Sequence, residues 1–302
     1  MPRVERPADA PSGLVIVDKP AGWTSHDVVS RMRGLAHTRR VGHAGTLDPM
    51  ATGVLVLGVD KATRLLHHLV LADKTYTATI RLGQTTITDD AQGDVVSTCS
   101  AAAVDEDAVW TALRPLTGAI QQVPSAVSAI KVDGQRAYKR VRAGEDVQLA
   151  ARPVTVSRFD AVRFTRPEPT VFDVEVEVEC TSGTYVRALA RDLGSALGVG
   201  GHLTALRRTR VGPFTIDQAR TLAELGALDD PVTLVLPEAV RAAMAVREVT
   251  EDEARALSYG KSVAAVGLVG TYGAFAPDGS VAALLAEDGE RARPVLVFTA
   301  AG

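Results

Sequence analysis

Residues Gly42 to Leu55 read GHAGTLDPMATGVL, and the rest of the chain is organised around this stretch. It sets one carboxylate, Asp48, among Gly42, Gly45 and Gly53, with an imidazole, His43, a few residues upstream. Glycines permit tight turns and close approach by a ligand, as a loop that carries chemistry requires. An isolated Asp-Pro is also an ordinary helix start, with Asp as the cap and Pro at the first helical position. Beyond the loop, Val54 to Val59 reads as a buried strand, and Leu14 to Val17 upstream reads as another.

A chain of 302 residues, 46% of them hydrophobic, exceeds the usual size of a single core, so one large domain with a smaller companion is expected. The apolar run Leu14 to Val17 is too short to cross a bilayer, and the opening MPRVERPADAPSG lacks a secretory apolar region. A cytoplasmic protein without a membrane partner is expected. The two cysteines, Cys99 and Cys180, form no C-x-x-C pair, which points to buried free thiols and away from a disulfide scaffold or a zinc site.

A net charge of −3 does not by itself advertise a nucleic-acid protein, but its distribution is uneven. Residues 130–166 hold nine Lys/Arg against four acids, and 202–220 add Arg207, Arg208, Arg210 and Arg220 against Asp217. Residues 221–302 instead carry six Lys/Arg and twelve Asp/Glu. Such asymmetry fits either a solvated surface or a polyanion-binding stripe on an acidic body.

In chain order, residues 1–12 read as a flexible arm. Thr24 or Ser25 caps a helix with Val28, Val29, Met32 and Leu35 at helical spacing. Lys61 to Leu71 reads as a helix with Leu65, Leu66, Leu69 and Val70 inward. A strand comes next in which Tyr76, Ala78, Ile80 and Leu82 alternate onto one face. Asp89 and Asp90 fall in a polar connection and read as solvated turn residues. Asp105 to Gly118 reads as a surface helix.

The stretch from Gln121 mixes small residues and Tyr138 with Lys131, Arg136, Lys139, Arg140 and Arg142, with Gly134 and Gly144 near the ends of an expected helix. Val171 to Thr181 is the clearest strand, with Phe172, Val174, Val176, Val178 and Cys180 on one face and Asp173, Glu175, Glu177 and Glu179 on the other. Ser182-Gly183-Thr184 then reads as the cap of a helix over Tyr185 to Leu197. Arg187 sits in its first turn, where a cation opposes the helix dipole, and this calls for an anionic partner. From about Ala245 a capping box at Thr250 and Glu253 and short strand-like pieces at Val263 to Val269, Val281 to Ala286 and Val295 to Phe298 suffice for a small β-rich domain.

Four motifs in order carry a resemblance over roughly Gly13 to Thr221: V-D-K-P-x-G-W-T-S, the Asp48 loop, K-x-Y at Tyr76, and S-G-T-Y-V-R-A-L-A-R-D-L-G continuing into GGHLTALRRTRVGPF. Together they resemble the TruB family of pseudouridine synthases. The resemblance implies an α+β fold with a large mixed, mostly antiparallel central sheet and flanking helices, followed by a small PUA-like carboxy-terminal domain. The implied division is a catalytic domain over 13–244, with an RNA-clamping insertion at about 121–152, and the small domain over 245–302.

The resemblance also implies roles. Asp48 is the catalytic aspartate, Tyr76 stacks on the target base, and Arg187 pairs with the carboxylate. Leu206 lines the base pocket, and Tyr185 and His43 bind substrate. Lys19 is structural or close to a phosphate. Lys131, Arg136, Lys139, Arg140, Arg142, Arg207, Arg208 and Arg210 contact RNA. The implied substrate is the uridine at position 55 in the T-loop of tRNA, and a monomer with no obligate protein partner is expected.

Pseudouridine formation breaks the bond from N1 to the ribose, turns the uracil and rejoins it through C5. Neither electrons, water nor phosphate enter on balance, so no cofactor and no metal are expected. A carboxylate can act as nucleophile at the sugar or the base, or remove a ribose proton; the residues leave these open. A uridine must leave its stack to reach a protein carboxylate, at a cost of a few kcal/mol. Stacking on Tyr76 would return about 1–3 kcal/mol. Two rival readings are a tRNA-binding chaperone and a synthase guided by a separate RNA to ribosomal RNA.

Overall fold

A computed structural model describes residues 6–7, 10–125, 131–132, 135–136 and 149–298. The chain divides into two compact units: Met1–Asp48 with Val54–Val70 and Gly212–Gly302, and Pro49–Gly53 with Leu71–Val211. The architecture is α+β, with a large mixed, mostly antiparallel sheet and a separate five-stranded sheet near the carboxyl end.

In the first unit, strand Gly13–Lys19 lies between Leu234–Val235 and Thr52–Val59, and Val41–Ala44 pairs antiparallel with the latter. The helix Ser25–Leu35 is capped by Thr24, whose hydroxyl accepts from Asp27 N while the Asp27 carboxylate accepts from Thr24 N. It buries Val28, Val29 and Met32, three of the four positions its spacing marked, while Leu35 in the last turn is half-buried. The helix expected over Lys61 to Leu71 is broken instead into a 3-10 turn, Asp60–Arg64, and a short helix, Leu66–Val70; Leu65, Leu66 and Leu69 are still buried.

Within the expected arm, Arg6 is held by the folded body. Its guanidinium meets Asp60 at 3.1 Å and Asp230 at 2.8 Å and donates to the carbonyls of Ala36 and Pro11. Two carboxylates and two carbonyls hold one cation, so the side chain is only 8% exposed.

The five-stranded sheet runs in the order Val246–Glu248, Thr271–Phe275, Val281–Asp288, Arg291–Val297, Val263–Ala264. Its core gathers Val249, Leu257, Tyr272, Ala274 and Leu285, with helix Glu251–Ser258 capped by the expected Thr250 and Glu253 box. The strand expected over Val263 to Val269 stops at Ala264, because Gly267 and Gly270 take positive φ and turn the chain, leaving Val269 96% exposed.

In the second unit the strands run Gly118–Gln122, Arg152–Glu168, Val171–Cys180, Lys74–Leu82, Gly201–Val211, each antiparallel to the next. Arg207 and Arg208 then pair in parallel with Thr52 and Gly53. Gly53 is required here: φ is +97° and an added Cβ would lie 2.1 Å from the Arg208 carbonyl oxygen. Helix Val186–Ala196 packs on the Gly201–Val211 strand, and Gly194 lets the two backbones touch, since a Cβ there would sit 2.1 Å from Gly201 N.

The Arg152–Glu168 strand shows in the sequence only as a run of basic residues. Within the expected insertion, Lys131–Val132 and Gln135–Arg136 pair as a two-stranded ladder, so these residues are strand and not part of the expected helix. Lys139, Arg140 and Arg142 lie outside the described residues. Among the described residues no helix is long and apolar enough to cross a membrane.

Candidate active site

The Asp48 loop bridges two paired strands. Val41–Ala44 lies antiparallel to Val56–Val59, with His43 opposite Leu57, so residues 45–51 form a connection closed at its base by the ladder. No helix follows Asp48; residues 49–50 turn and the chain enters the strand Thr52–Val59. The helix-cap reading of Asp-Pro is therefore excluded, and Asp48 is a half-buried loop carboxylate.

Leu47 fixes the loop beside it. It is 4% exposed, its N–H donates to Ser25 Oγ at 2.8 Å, and Ser25 Oγ donates to its carbonyl at 3.2 Å. Lys19 is fully buried, with Nζ donating to the carbonyls of Pro20 and Trp23 at 2.9 and 2.6 Å. Of its two sequence readings this burial supports the structural one, since the ammonium ties down the turn that leads into Ser25.

In the second unit, register places Tyr76 opposite Val178 on one side and Arg208 on the other, while Leu206 lies opposite Ala78. Tyr76, Leu206 and Arg208 thus share one sheet face. Tyr76 and Leu206 are each 7% exposed. Leu206 and Arg207 line a cleft of about 420 Å³ together with Met50, Thr52, Thr77 and Thr204, so residues just after Asp48-Pro49 border the same space. Arg207 Nη1 donates to Thr52 Oγ1 at 3.3 Å.

Arg187 enters from the first turn of its helix and is 4% exposed. Within this unit an anion lies beside it: Asp90 Oδ2 is 3.7 Å from Nε, and Nη1 donates to the Thr88 carbonyl at 2.8 Å. Asp90 is only 4% exposed, and its Oδ1 accepts from Thr88 Oγ1 and Gln92 N at 2.6 and 3.0 Å. The reading of Asp89 and Asp90 as solvated turn residues is thereby corrected. Asp89 adopts φ +57° and meets Arg191 at 3.4 Å; burial, opposed in part by the charges of Arg191 and Arg187, raises its pKa.

The expected Ser182-Gly183-Thr184 cap is also corrected. Tyr185 occupies the cap position without a side-chain cap bond, and the buried Gln122 side chain clamps it, accepting from Tyr185 N at 2.9 Å and donating to Tyr185 O at 3.1 Å.

Three family models match the chain. The model of the TruB family pseudouridylate synthase N-terminal domain matches residues 33–186. The other two are the tRNA pseudouridylate synthase B C-terminal domain at 187–234 and tRNA pseudouridine synthase II, C terminal, at 244–299. A tRNA pseudouridine synthase B of Arthrobacter sp. (strain FB24) is 65% identical over 298 residues, covering 95% of this chain and 96% of the relative. The chain belongs to the TruB family. Another relative of that description, from Thermobifida fusca (strain YX), is 59% identical and covers 95% of this chain and 98% of its own length. Among solved structures, a Cbf5-Nop10-Gar1 complex matches with TM-score 0.72 and 26% identity over 95% of this chain and 85% of that one.

For a TruB-family chain the basic surface is smaller than its sequence suggests. Arg158 pairs with Asp160 and Glu177, Arg163 with Glu175, and Arg210 with Glu179 at 2.6 Å. The glutamates on the wet face of Val171–Cys180 neutralise the arginines of the neighbouring strands across the ladder. Arg208, read as reaching a phosphate, is 1% exposed; its guanidinium is interior, and that reading is corrected. Sequence reasoning missed Asp90 and Gln122 because neither stands in a motif. The one signal in the sequence was the adjacent acid pair Asp89-Asp90 in a loop near an arginine-rich helix.

Proposed function

We propose that this TruB-family chain isomerises the uridine at position 55 in the T-loop of tRNA to pseudouridine, with Asp48 as the essential carboxylate. The observation that carries the reading is the construction of the Asp48 loop. A half-buried carboxylate follows Leu47, which is pinned by Ser25 on both backbone groups, and the residues just beyond it line a cleft with Leu206 and Arg207. The family membership and relatives described as tRNA pseudouridine synthase B support tRNA as the substrate.

The target uracil leaves its stack, and Tyr76 supplies the replacement face. A base on an aromatic ring regains about 1–3 kcal/mol, which offsets the few kcal/mol of unstacking. His43 and Tyr185 flank the base, and Arg207 takes a phosphate. Asp48 then acts as an anion, attacking the sugar or the base or removing a ribose proton, while the N1 bond breaks and the C5 bond forms. Arg187 pairs with Asp48, because a neighbouring guanidinium favours the ionised form of a carboxylate. Asp90 serves as a positioning residue, holding the arginine by its Nε.

The catalytic domain is residues 13–244, and the small domain 245–302 is PUA-like. The separate five-stranded sheet and the family match at 244–299 support that division. The enzyme acts as a monomer in the cytoplasm, with neither a cofactor nor an obligate protein partner.

The test is to incubate the purified protein alone with unmodified tRNA and map any pseudouridine. Asp48→Asn keeps size and much of the hydrogen bonding but is no anionic nucleophile. It should form no detectable product while binding tRNA within about tenfold of wild type, or ~1.4 kcal/mol. Product from a folded Asp48→Asn protein would remove Asp48 from the chemistry.

A further inference from the structure

We propose that Trp23 and Arg31 form a stacking site for an unpaired nucleotide of the RNA substrate, beside the target uridine; the proposal rests on the reading of Asp48 as the catalytic carboxylate. The chain has two tryptophans, and Trp23 is 38% exposed although an indole is among the most favourable side chains to bury. It lines a cleft of about 430 Å³ with Gly22, Asp27, Ser30 and Arg31.

The backbone that presents the ring is held on both sides. Gly22 takes φ +81° in the turn before it, the buried Lys19 ammonium grips the Trp23 carbonyl, and Thr24 begins the capped helix. A rigid, half-exposed aromatic face is the feature on which bases stack irrespective of sequence.

The charges at the cleft suit a nucleotide. The Asp27 carboxylate is occupied by the cap, accepting from Thr24 N at 2.9 Å and Thr24 Oγ1 at 2.6 Å, and its pKa is lowered chiefly by the Thr24 side chain. Arg31, exposed one helical turn on, makes no hydrogen bond or ion pair with another described residue. A guanidinium at the rim of an aromatic cleft fits a phosphate, while the indole takes the base.

Position connects this cleft to the reaction. Trp23 is two residues from Ser25, which is hydrogen-bonded in both directions to Leu47, the residue before Asp48. Those three chain links together with the Ser25–Leu47 hydrogen bond of 2.8 Å span at most roughly 18 Å between the Trp23 and Asp48 backbones. A nucleotide stacked on Trp23 is therefore near the one that reaches Asp48, and its capture would help hold the loop open once the uridine has left.

Trp110→Phe leaves Trp23 as the sole indole, so its fluorescence can be followed while an unmodified T-arm stem-loop RNA is titrated in. Quenching that saturates with binding is expected. Trp23→Ala should weaken binding about 5- to 150-fold, the range for loss of one base stack of about 1–3 kcal/mol. Trp23→Phe should retain most of the affinity, and Arg31→Ala should reduce the salt slope of binding by about 0.7–0.9, one phosphate contact.

Unchanged emission at saturation overturns the proposal, as does a folded Trp23→Ala protein that binds within twofold of wild type. If Trp23→Ala does not fold, the quenching and Trp23→Phe decide. Pseudouridine formation by wild type on the same RNA separates the two levels. Product with no effect at Trp23 overturns the stacking site alone, whereas no product overturns the reading of Asp48 and the stacking site with it.

Discussion

Replacing Arg187 with Met removes a cation whose side chain, like that of Asp90, is only 5% exposed. Breaking a buried pair by deleting one partner costs roughly 3–5 kcal/mol, because the remaining charge has lost its counter-ion. Asp90 would keep two donors, Thr88 Oγ1 and Gln92 N, which places the cost at the lower end, about 3 kcal/mol. With a denaturant slope of about 1–3 kcal/mol/M in urea, the midpoint should fall by about 1 M or more.

Asp90→Asn alone should also destabilise. The double variant should lose less than the sum of the two, by about 1–3 kcal/mol, since an Asn left with Met is no longer an unpaired charge. Single-turnover pseudouridine formation on the same preparations should fall at least about 100-fold for Arg187→Met, the equivalent of ~3 kcal/mol in the barrier. Arg187→Lys should fold better than the Met variant yet remain impaired, because an ammonium cannot reach Asp90 and the Thr88 carbonyl in the fork geometry. Additive stabilities would refute the Arg187 and Asp90 pairing, and near-normal turnover in Arg187→Met would remove Arg187 from the mechanism.

Gly53→Ala should destabilise by at least about 2 kcal/mol in urea unfolding, through its positive φ and the clash with the Arg208 carbonyl; a neutral result would contradict the parallel pairing there. Neutralising Arg136, Lys139, Arg140 and Arg142 together should weaken tRNA binding and flatten its salt dependence; an unchanged slope would make the segment ordinary surface. Lys74, 6% exposed, has its pKa pulled down to about 8, chiefly by burial and then by Arg208. Between about pH 8 and 10.5 the unfolded chain binds more protons at this site, so Lys74 penalises the fold below pH 8 and the penalty, about 3 kcal/mol, fades as pH rises. Cys180, directly opposite on the next strand and raised to about 11 by burial, works in the other direction above pH 9. Lys74→Met should therefore be more stable than wild type at pH 7, with the difference narrowing toward pH 10; a pH-independent difference would show that Lys74 is not titrating in the fold.

Periodicity alone determined most of the strands and helices. Alternation put Tyr76, Ala78, Ile80 and Leu82 on one buried face, helical spacing buried Val28, Val29 and Met32, and Thr250 with Glu253 marked the start of a helix. The Asp48 loop and its companions were legible because each motif is local in sequence. Properties that depend on partners far apart in the chain were decided only in three dimensions. Asp90 looked solvated and is buried because Arg187, nearly a hundred residues away, compensates its charge. The arginines at 158 and 163 looked like a polyanion stripe until the register of two strands set them opposite glutamates. Arg6 looked frayed and is held by Asp60 and Asp230. A sequence records which charges exist; which of them remain for a ligand depends on whether folding brings an opposite charge within about 4 Å.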